Sequence, residues 1–384
     1  MKYRELGKTG EKVSILGFGA MRLPTIDGEN NKIDKKLSSD LLTYGIENGI
    51  NYVDTAYPYH GLDFTGEGES ERFLGEFFSE NYREDVFLTT KMPSWMINEK
   101  EDMERIFERQ LELLQTDYLN GYLIHSIKED VWEKLLNLGV LDFLDDLKSQ
   151  DKVKYIGFSF HDSYDLFKKV IEHYNWDMCQ TQMNYLDENF QSGLKGLKKA
   201  KELGVGNIIM EPLRGGKLAT NPPQYIKEIW EKSIIKRSPA HWAFKYLYNM
   251  EEVDIVLSGM NTLKDMKENI EIANSSNINE LTKEEKELIK EVGEKYHENS
   301  GNNCNGCGYC MPCPFNVNIP DCFKEYNTAL IFKEANDLDN HYELTIDKEN
   351  RASNCTNCEI CIEKCTQNLN IPEELKKVKK LFEG

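Results

Sequence analysis

Short apolar segments rich in β-branched residues alternate with amphipathic segments along about the first 260 residues of the chain. The amphipathic segments carry apolar residues at helical spacing, as in NEKEDMERIFERQLELLQ. Eight of the apolar segments are predicted strands: KVSILGFG, INYVDT, VFLTTK, YLNGYLIH, VKYIGFS, MCQTQM, NIIM and VDIVLSG. This alternation predicts an α/β protein, a closed (β/α)8 TIM barrel with its active site at the carboxyl ends of the strands. A doubly wound open sheet is the alternative, but no Gly-x-Gly-x-x-Gly motif opens a helix after the first strand.

The composition of the chain changes near Gly301. Only Cys179 of the ten cysteines precedes that point. The segment LTKEEKELIKEVGEKYHENSGNN, which leads up to it, predicts a charged helix followed by a polar linker. We therefore predict two domains, a barrel over residues 1–300 and a small α-helical, ferredoxin-like iron–sulfur domain over residues 301–384, called the tail below.

The tail contains two similar cysteine runs, CNGCGYCMPCPFNVNIP and CTNCEICIEKCTQNLNIP. Duplicated runs of this kind build two-cluster ferredoxins, in which three cysteines of one run and the fourth of the other hold each 4Fe-4S cluster. The predicted ligand sets are Cys304, Cys307, Cys310 and Cys365 for one cluster and Cys355, Cys358, Cys361 and Cys313 for the other. The first run has one residue fewer before its last cysteine, and the second lacks a proline after it, so the crossed assignment stays open. Structural zinc is the alternative, because paired Cys-x-x-Cys motifs also form tetrahedral zinc sites.

Charge and sequence pattern exclude several classes of partner. The formal net charge is −19 at pH 7, whereas nucleic-acid binding requires a basic face. The amino-terminal stretch MKYRELGKTGEKVSILGFG holds no apolar run of signal-peptide length, and no segment suggests a bilayer span. We predict a cytoplasmic protein without a nucleic-acid or membrane partner, in which regularly spaced cysteines bind metal rather than form disulfides.

Four chemically distinct side chains lie at or just beyond the ends of three successive predicted strands. They are Asp54, Tyr59, Lys91 and His125, called the tetrad below. Each one alone has an ordinary structural explanation, such as helix capping, packing or solvation. Together they predict a catalytic site at the mouth of the barrel, because the carboxyl ends of the strands meet there.

The motifs DTAYPY, TTK and LIH, which carry the tetrad, resemble those of the aldo-keto reductases over roughly residues 1–300. With the tail, the chain resembles the subgroup of that family with a C-terminal ferredoxin-type domain. The resemblance implies that Tyr59 acts as general acid and base in carbonyl/alcohol interconversion by hydride transfer. It implies that Lys91 lowers the pKa of Tyr59, that Asp54 holds Lys91, and that His125 orients the carbonyl oxygen.

The same resemblance implies a nicotinamide site. Its expected residues are Gly19, Met21, Ser159, Gln180, Met210, Pro212, Leu213, Arg214, Gly216, Glu268 and Asn269. Members that use NADP(H) carry basic residues where this chain has Gly259 and Asp265, so NAD(H) and NADP(H) both stay open. A flavin is a further alternative, because flavins exchange both hydrides and single electrons.

The function predicted from the sequence is that of an oxidoreductase whose hydride chemistry is coupled to one-electron transfer through the clusters of the tail. Its predicted partners are a small carbonyl or alcohol substrate and a ferredoxin or another one-electron carrier. The alternative is an electron-transfer or cofactor-binding regulatory protein whose barrel turns over no carbonyl substrate. The substrate itself is not predictable, because loop shapes determine it.

Overall fold

The structure is a computed structural model that describes residues 1–62, 66–304, 306, 310–332, 338–365 and 367–384. The chain begins with an antiparallel hairpin of strands β1 (Tyr3–Glu5) and β2 (Lys12–Ser14). Leu6 and Val13 of this hairpin pack in an apolar cluster with the first residues of several barrel strands, such as Tyr52. The hairpin therefore closes the end of the barrel opposite the predicted active site.

Eight parallel strands form the closed barrel, with β10 pairing with both β3 and β9. They are β3 (Leu16–Gly19), β4 (Tyr52–Asp54), β5 (Phe87–Pro93), β6 (Leu119–Ile127), β7 (Val153–Phe160), β8 (Met178–Gln182), β9 (Gly206–Met210) and β10 (Ile255–Ser258). The predicted (β/α)8 barrel is confirmed. One predicted strand, KVSILGFG, is divided, because its first half pairs with β1 in the hairpin and only its second half enters the barrel.

Eleven helices accompany the barrel strands in the part of the chain that the structure describes. They are α1 (Lys35–Glu47), α2 (Glu69–Glu80), α3 (Lys100–Leu114), α4 (Glu129–Asn137), α5 (Val140–Ser149), α6 (Tyr164–His173), α7 (Gly193–Glu202), α8 (Gln224–Trp230), α9 (Pro239–Tyr248), α10 (Leu263–Ser275) and α11 (Lys283–Glu298). Side-chain caps fix several of their starts; Thr282 and Glu285 form a capping box at α11. None of the described helices combines the length and apolar character that crossing a bilayer requires.

The tail contains helices α12 (Ile319–Ile331), α13 (Leu338–Thr345), α14 (Ile360–Glu363) and α15 (Ile371–Phe382). The repeated sequence Asn-Ile-Pro begins both α12 and α15. The side chains of Asn318 and Asn370 cap these helices, and a proline occupies the first turn of each, where its missing N–H costs nothing. Each cysteine run is thus followed by a helix that starts in the same way, and the two helices pack together around a small apolar cluster.

The tail packs on the barrel through the end of α12. Ile331 and Phe332 are buried in the same apolar cluster as the barrel core. The Tyr296 and Phe332 rings are 5.4 Å apart, and the Tyr225 hydroxyl donates a hydrogen bond to the Ile331 carbonyl at 3.3 Å. Helix α11 ends at Glu298, three residues before the predicted division at residue 301. That division stays a prediction, because the apolar core is continuous across it.

Candidate active site and cluster-binding tail

A cavity of about 590 Å³ opens at the carboxyl ends of the barrel strands. All four residues of the tetrad line it. Asp54 is the last residue of β4, Lys91 lies in β5 and His125 lies in β6. Tyr59 follows β4 in a short turn and is only 8% exposed. The strand order therefore brings three separate segments of the chain to one wall of the cavity, as predicted from their positions at strand ends.

The ammonium group of Lys91 is the centre of the tetrad. Its Nζ donates hydrogen bonds to Asp54 Oδ1 at 2.7 Å, to the Thr55 carbonyl at 2.7 Å and to the Tyr59 hydroxyl at 3.3 Å. The side chains of Lys91 and Asp54 are almost fully buried. Burial opposes the charged form of Lys91, but Asp54 and then Tyr59 outweigh it and raise the pKa of Lys91. Lys91 therefore stays protonated, and Asp54 holds its ammonium beside the phenol.

The proton affinities of Tyr59 and His125 follow from this burial. Burial raises the pKa of the Tyr59 phenol above its usual value, and the nearby Lys91 ammonium offsets this only in part, so the expected net lowering of the Tyr59 pKa is not found. Burial also lowers the pKa of His125 well below its usual value, and Lys91 and His161 reinforce that shift. His125 is therefore neutral near pH 7, and its buried Nδ1 has no partner among the described residues. A neutral imidazole can donate one hydrogen bond to a carbonyl oxygen without competing for its proton.

Aromatic side chains flank the tetrad. The rings of Tyr59 and His125 meet edge to face with centroids 6.0 Å apart. Trp95, in the loop after β5, lies 5.0 Å from the His125 ring and lines the cavity. Trp95 therefore contributes to the wall beside the reacting position.

The residues that the resemblance assigns to a nicotinamide mostly line the same cavity. Those on its wall are Gly19, Met21, Ser159, Gln180, Met210, Pro212, Leu213, Gly216, Glu268 and Asn269. Gln180 is 2% exposed, and its Oε1 is buried without a hydrogen-bond partner among the described residues. An amide oxygen in this state needs a donor, which the carboxamide of a nicotinamide would supply, so the residues present fit that group.

Arg214 is placed differently from the other expected cofactor residues. Its Nε lies 3.2 Å from Asp187 Oδ2, and it is absent from the cavity wall. Asp187 in turn accepts hydrogen bonds from Gln182 and Asn184 at 2.8 Å each. Asn184 also donates to the Glu211 carbonyl. Arg214 therefore fixes the loop after β8 and leaves the backbone of the following glycines to face the cavity.

Two cavity residues are not predictable from the motifs. Arg22 follows β3, and its side chain covers Gly259, where a β-carbon would lie 2.9 Å from Arg22 Cβ. The position at which the family resemblance expects a basic residue is thus filled by an arginine from another loop. His161 follows Ser159 by two residues and also faces the cavity, because alternate residues of a strand point the same way. Burial, with nearby Lys324 and Lys128, lowers the pKa of His161 to about 3.

A second buried polar network lies behind Lys91. Glu71 of α2 accepts hydrogen bonds from the Thr90 hydroxyl and from Gln110 Nε2. The same Gln110 amide donates to the Lys91 carbonyl at 3.1 Å, and its oxygen accepts from the Tyr122 hydroxyl at 2.8 Å. Burial raises the pKa of Glu71 to about 7. No sequence motif indicates this network, because a glutamate in an amphipathic helix ordinarily faces solvent.

The described cysteines of the tail gather on one small apolar cluster. Those that pack against it are Cys304, Cys310, Cys313, Cys355, Cys361 and Cys365. Cys313, Cys355, Cys358 and Cys361 also line one cavity, together with Cys310. This is the group of four predicted for the second cluster, and thiols so placed fit a 4Fe-4S cubane. Cys179 and Cys322 are buried in apolar clusters, as expected of small hydrophobic residues.

Backbone amides lie near the sulfurs of two cysteines, one in each run. The Gly306 and Leu369 amides lie 3.5 Å and 3.4 Å from the sulfurs of Cys304 and Cys365. Among the described residues, no three metal-ligating side chains are arranged to hold a single ion. A cluster would place its own iron and sulfide between the thiolates, so a cubane requires a more open arrangement than one tetrahedral ion. Cys307, the remaining predicted ligand, lies outside the described residues.

Comparison with protein families gives one match for the barrel and one for the tail. The Aldo/keto reductase family matches residues 15–294, and a 4Fe-4S dicluster domain matches residues 303–371. Because the first match covers most of the chain, the protein belongs to the aldo/keto reductase family and is an oxidoreductase. The tail is a 4Fe-4S domain, which places iron–sulfur ahead of the zinc alternative.

Individual relatives are distant but cover the barrel well. L-galactose dehydrogenase of Arabidopsis thaliana is 28% identical over 289 residues, covering 70% of this chain and 87% of the plant protein. The uncharacterized oxidoreductase YqkF of Bacillus subtilis is 24% identical and covers 73% of this chain and 94% of its own length. The solved structure of aldo-keto reductase AKR11C1 from Bacillus halodurans in its holo form superposes with a TM-score of 0.62. It is 24% identical and covers 76% of this chain and 96% of that one. These structural matches establish the shared barrel fold.

Proposed function

We propose that this protein interconverts a small carbonyl compound and the corresponding alcohol by hydride transfer, with Tyr59 as general acid and base. The observation that carries the proposal is the position of Lys91 Nζ, which contacts both Asp54 and the Tyr59 hydroxyl at the buried wall of the cavity. A phenol is a weak acid near neutrality. An adjacent ammonium favours its phenolate and so makes the proton easier to release.

The remaining residues of the site would position the carbonyl. His125 is neutral and lies across from Tyr59, so it can donate a hydrogen bond to the carbonyl oxygen while Tyr59 delivers its proton to the same atom. Trp95 supplies an apolar wall beside them. The substrate oxygen thus receives two directed hydrogen bonds, which orient the carbonyl and stabilise the charge that develops on it.

A nicotinamide would supply the hydride when bound. Gln180 and Ser159 would hold its carboxamide, and the backbone of the segment 212–216 would face its phosphates. The choice between NAD(H) and NADP(H) depends on the charges at the far end of the cavity. Asp265 there would repel a 2′-phosphate, whereas Arg22 lies against Gly259 and Gly215 and would attract one.

We further propose that the tail exchanges electrons with the barrel. One hydride carries two electrons, and two 4Fe-4S clusters accept one each. Oxidation of one nicotinamide would therefore reduce both clusters and release one proton. The contact between the tail and the loops at the mouth of the barrel supports this coupling. The outside partner would be a ferredoxin or another one-electron carrier. A flavin at the mouth of the barrel is the alternative mediator, and its own visible spectrum would reveal it.

The test is an anaerobic titration of the purified holoprotein. NADH and then NADPH are added while the visible absorbance of the iron–sulfur clusters is followed, and turnover is assayed with a panel of small aldehydes and ketones. The expected result is carbonyl-dependent oxidation of one nicotinamide and bleaching of the clusters by the same one. Tyr59→Phe should abolish turnover.

Two results would contradict parts of the proposal. Clusters that respond to a reduced ferredoxin but to neither nicotinamide would show that the tail does not serve the hydride site. Turnover that survives Tyr59→Phe would remove the assigned general acid and favour the regulatory or electron-transfer alternative.

A further inference from the structure

The two cysteine runs lie in different surroundings, although their sequences repeat each other. The first run borders the barrel. Gly306 has a φ of 69°, and a β-carbon at this position would lie 2.1 Å from the Phe190 ring. Cys304 lines a cleft of about 690 Å³ together with Phe190 and residues of α11. Only glycine allows the first run to approach Phe190 so closely.

The loop after β8 reaches from the first run toward the active-site cavity. Phe190 belongs to this loop, and the side chain of the next residue, Gln191, lies close to His161. His161 lines the cavity together with Tyr59 and His125. This loop and His161 therefore lie between the first run and the tetrad.

The second run lies away from the barrel. The cavity that holds Cys313, Cys355, Cys358 and Cys361 is lined by residues of the tail alone. Cys358 is exposed, and its neighbours Thr356, Asn357 and Glu359 are exposed as well. A cluster held there would reach the surface of the molecule at Cys358.

Apolar side chains surround that point on the surface. Phe315 is 42% exposed and Ile360 is 50% exposed, and both line the same cavity as Cys358. With the exposed Pro314 they form what we call the distal patch, which consists of Pro314, Phe315, Cys358 and Ile360. Exposed apolar groups around one functional atom mark an interaction site. The patch is small, as expected for the weak and transient interfaces of redox partners.

Building on the proposed function, we propose that a ferredoxin-type protein docks on the distal patch and exchanges electrons with the second-run cluster, held by Cys313 and the first three cysteines of that run. Electrons then pass to the cluster of the first run and reach the barrel beside Phe190. A redox protein suits this surface, because the predicted cluster ligand Cys358 lies exposed at the centre of the patch. Two successive one-electron transfers from two reduced carriers, together with one proton from solvent, supply the equivalent of one hydride.

The test uses the full-length holoprotein and a dithionite-reduced 2[4Fe-4S] ferredoxin as the probe, mixed anaerobically in a stopped-flow instrument. The double variant Phe315→Glu/Ile360→Glu places two charges in the patch. Its matched control is Ile234→Glu, which changes an apolar side chain that is 98% exposed on the barrel. We expect the double variant to need a roughly tenfold higher ferredoxin concentration for the same rate of cluster reduction. The control should match the wild type.

A second measurement separates docking from damage to the cluster. Methyl viologen radical, which is small and needs no docking surface, should reduce the clusters of the double variant at the wild-type rate. If the double variant loses iron, the test is instead made by hydrogen exchange on the wild-type protein. In that experiment, ferredoxin should protect peptides that cover residues 312–316 and 356–361.

Several outcomes would overturn the proposal. They are equal rates for the double variant and its control, protection elsewhere on the surface, or dimers of this chain that depend on Phe315 and Ile360. The order of the clusters has its own test. Phe190→Leu should leave reduction by ferredoxin unchanged but slow reoxidation of the clusters by the oxidised nicotinamide. If wild-type clusters are reduced through the patch yet never reoxidised by a nicotinamide, the proposed coupling between the tail and the hydride site fails while the docking site stands.

Discussion

The side chains of the two functional regions are held in position in different ways. In the barrel, Lys91 contacts Asp54 and Tyr59 directly, and buried backbone groups complete its hydrogen bonds. In the tail, six of the described cysteines pack against one apolar cluster, and no three metal-ligating side chains among the described residues are arranged to hold a single ion. The barrel site is therefore formed by the folded chain itself, whereas the thiols require iron and sulfide to fix their positions. This difference predicts that the two sites respond separately to metal removal, to mutation and to pH.

The largest expected effect is that of iron removal on the tail. Anaerobic chelation should leave the segments 310–316 and 355–370 without hydrogen-exchange protection, because the clusters join their cysteines, while strands β5 and β6 remain protected. Exchange measured by mass spectrometry checks this. Cys361→Ala should reproduce the effect, and Cys322→Ala, a buried tail cysteine outside the predicted ligand sets, should retain its iron. Unchanged protection after iron loss would show that the tail is formed by the chain alone.

The second-largest expected effect is a loss of turnover, which concerns the barrel alone. Tyr59→Phe should lower turnover by roughly 10²–10⁴-fold, the usual contribution of a positioned general acid, while cluster absorbance stays unchanged. Tyr57→Phe is the matched control, since Tyr57 lies in the same turn but does not line the cavity. Steady-state kinetics with the best carbonyl substrate measure both variants. A fall of similar size in both would assign the loss to disturbance of the turn rather than to proton transfer.

Removal of the buried cation should destabilise the barrel. Lys91→Met leaves the Asp54 carboxylate buried without its ion-pair partner, which costs about 3–5 kcal/mol in the free energy of unfolding. Chemical denaturation at pH 7 measures this cost. Asp54→Asn/Lys91→Met should recover part of it, because the amide carries no charge. A single variant as stable as the wild type would mean that water or another cation compensates Asp54.

The smallest effect expected here is a dependence of stability on pH. Burial raises the pKa of Glu71 from 4.5 to about 7, so the folded protein keeps a proton that the unfolded chain releases. The resulting stability is fully present below about pH 4.5 and is lost as pH rises through about 7, a total on the order of 3 kcal/mol. Denaturation midpoints between pH 5 and pH 8 should show this slope. Glu71→Gln should flatten it, and Glu69→Gln, on the exposed side of the same helix, should not.

The sequence predicts the parts of the structure that depend on local pattern. Strand ends carry the tetrad residues, and parallel strands bring their ends together, so Asp54, Lys91 and His125 could be placed at one mouth from their positions alone. This inference needs only periodicity and the topology of the barrel.

Features that arise from closure of the fold were missed. Arg22 covers Gly259 because the first and last barrel strands become neighbours, which the sequence does not reveal. His161 enters the cavity through strand alternation, but no motif marks it as a site residue. KVSILGFG was predicted as one strand, since nothing in its apolar pattern shows that Ser14 ends a hairpin strand. Non-local pairing decides the Arg22 contact and the division of KVSILGFG, whereas local strand alternation places His161.

The burial of Ile331 and Phe332 in the barrel core has a consequence for the cooperativity of unfolding. The end of helix α12 shares its apolar contacts with the barrel, so this end should melt with residues far earlier in the chain rather than with the cysteine loops of the tail. The division between the two cooperative units would then fall inside the tail rather than at the linker near residue 301. After losing its cluster, the segment 310–316, which leads into α12, could open and close again while the end of α12 stays on the barrel.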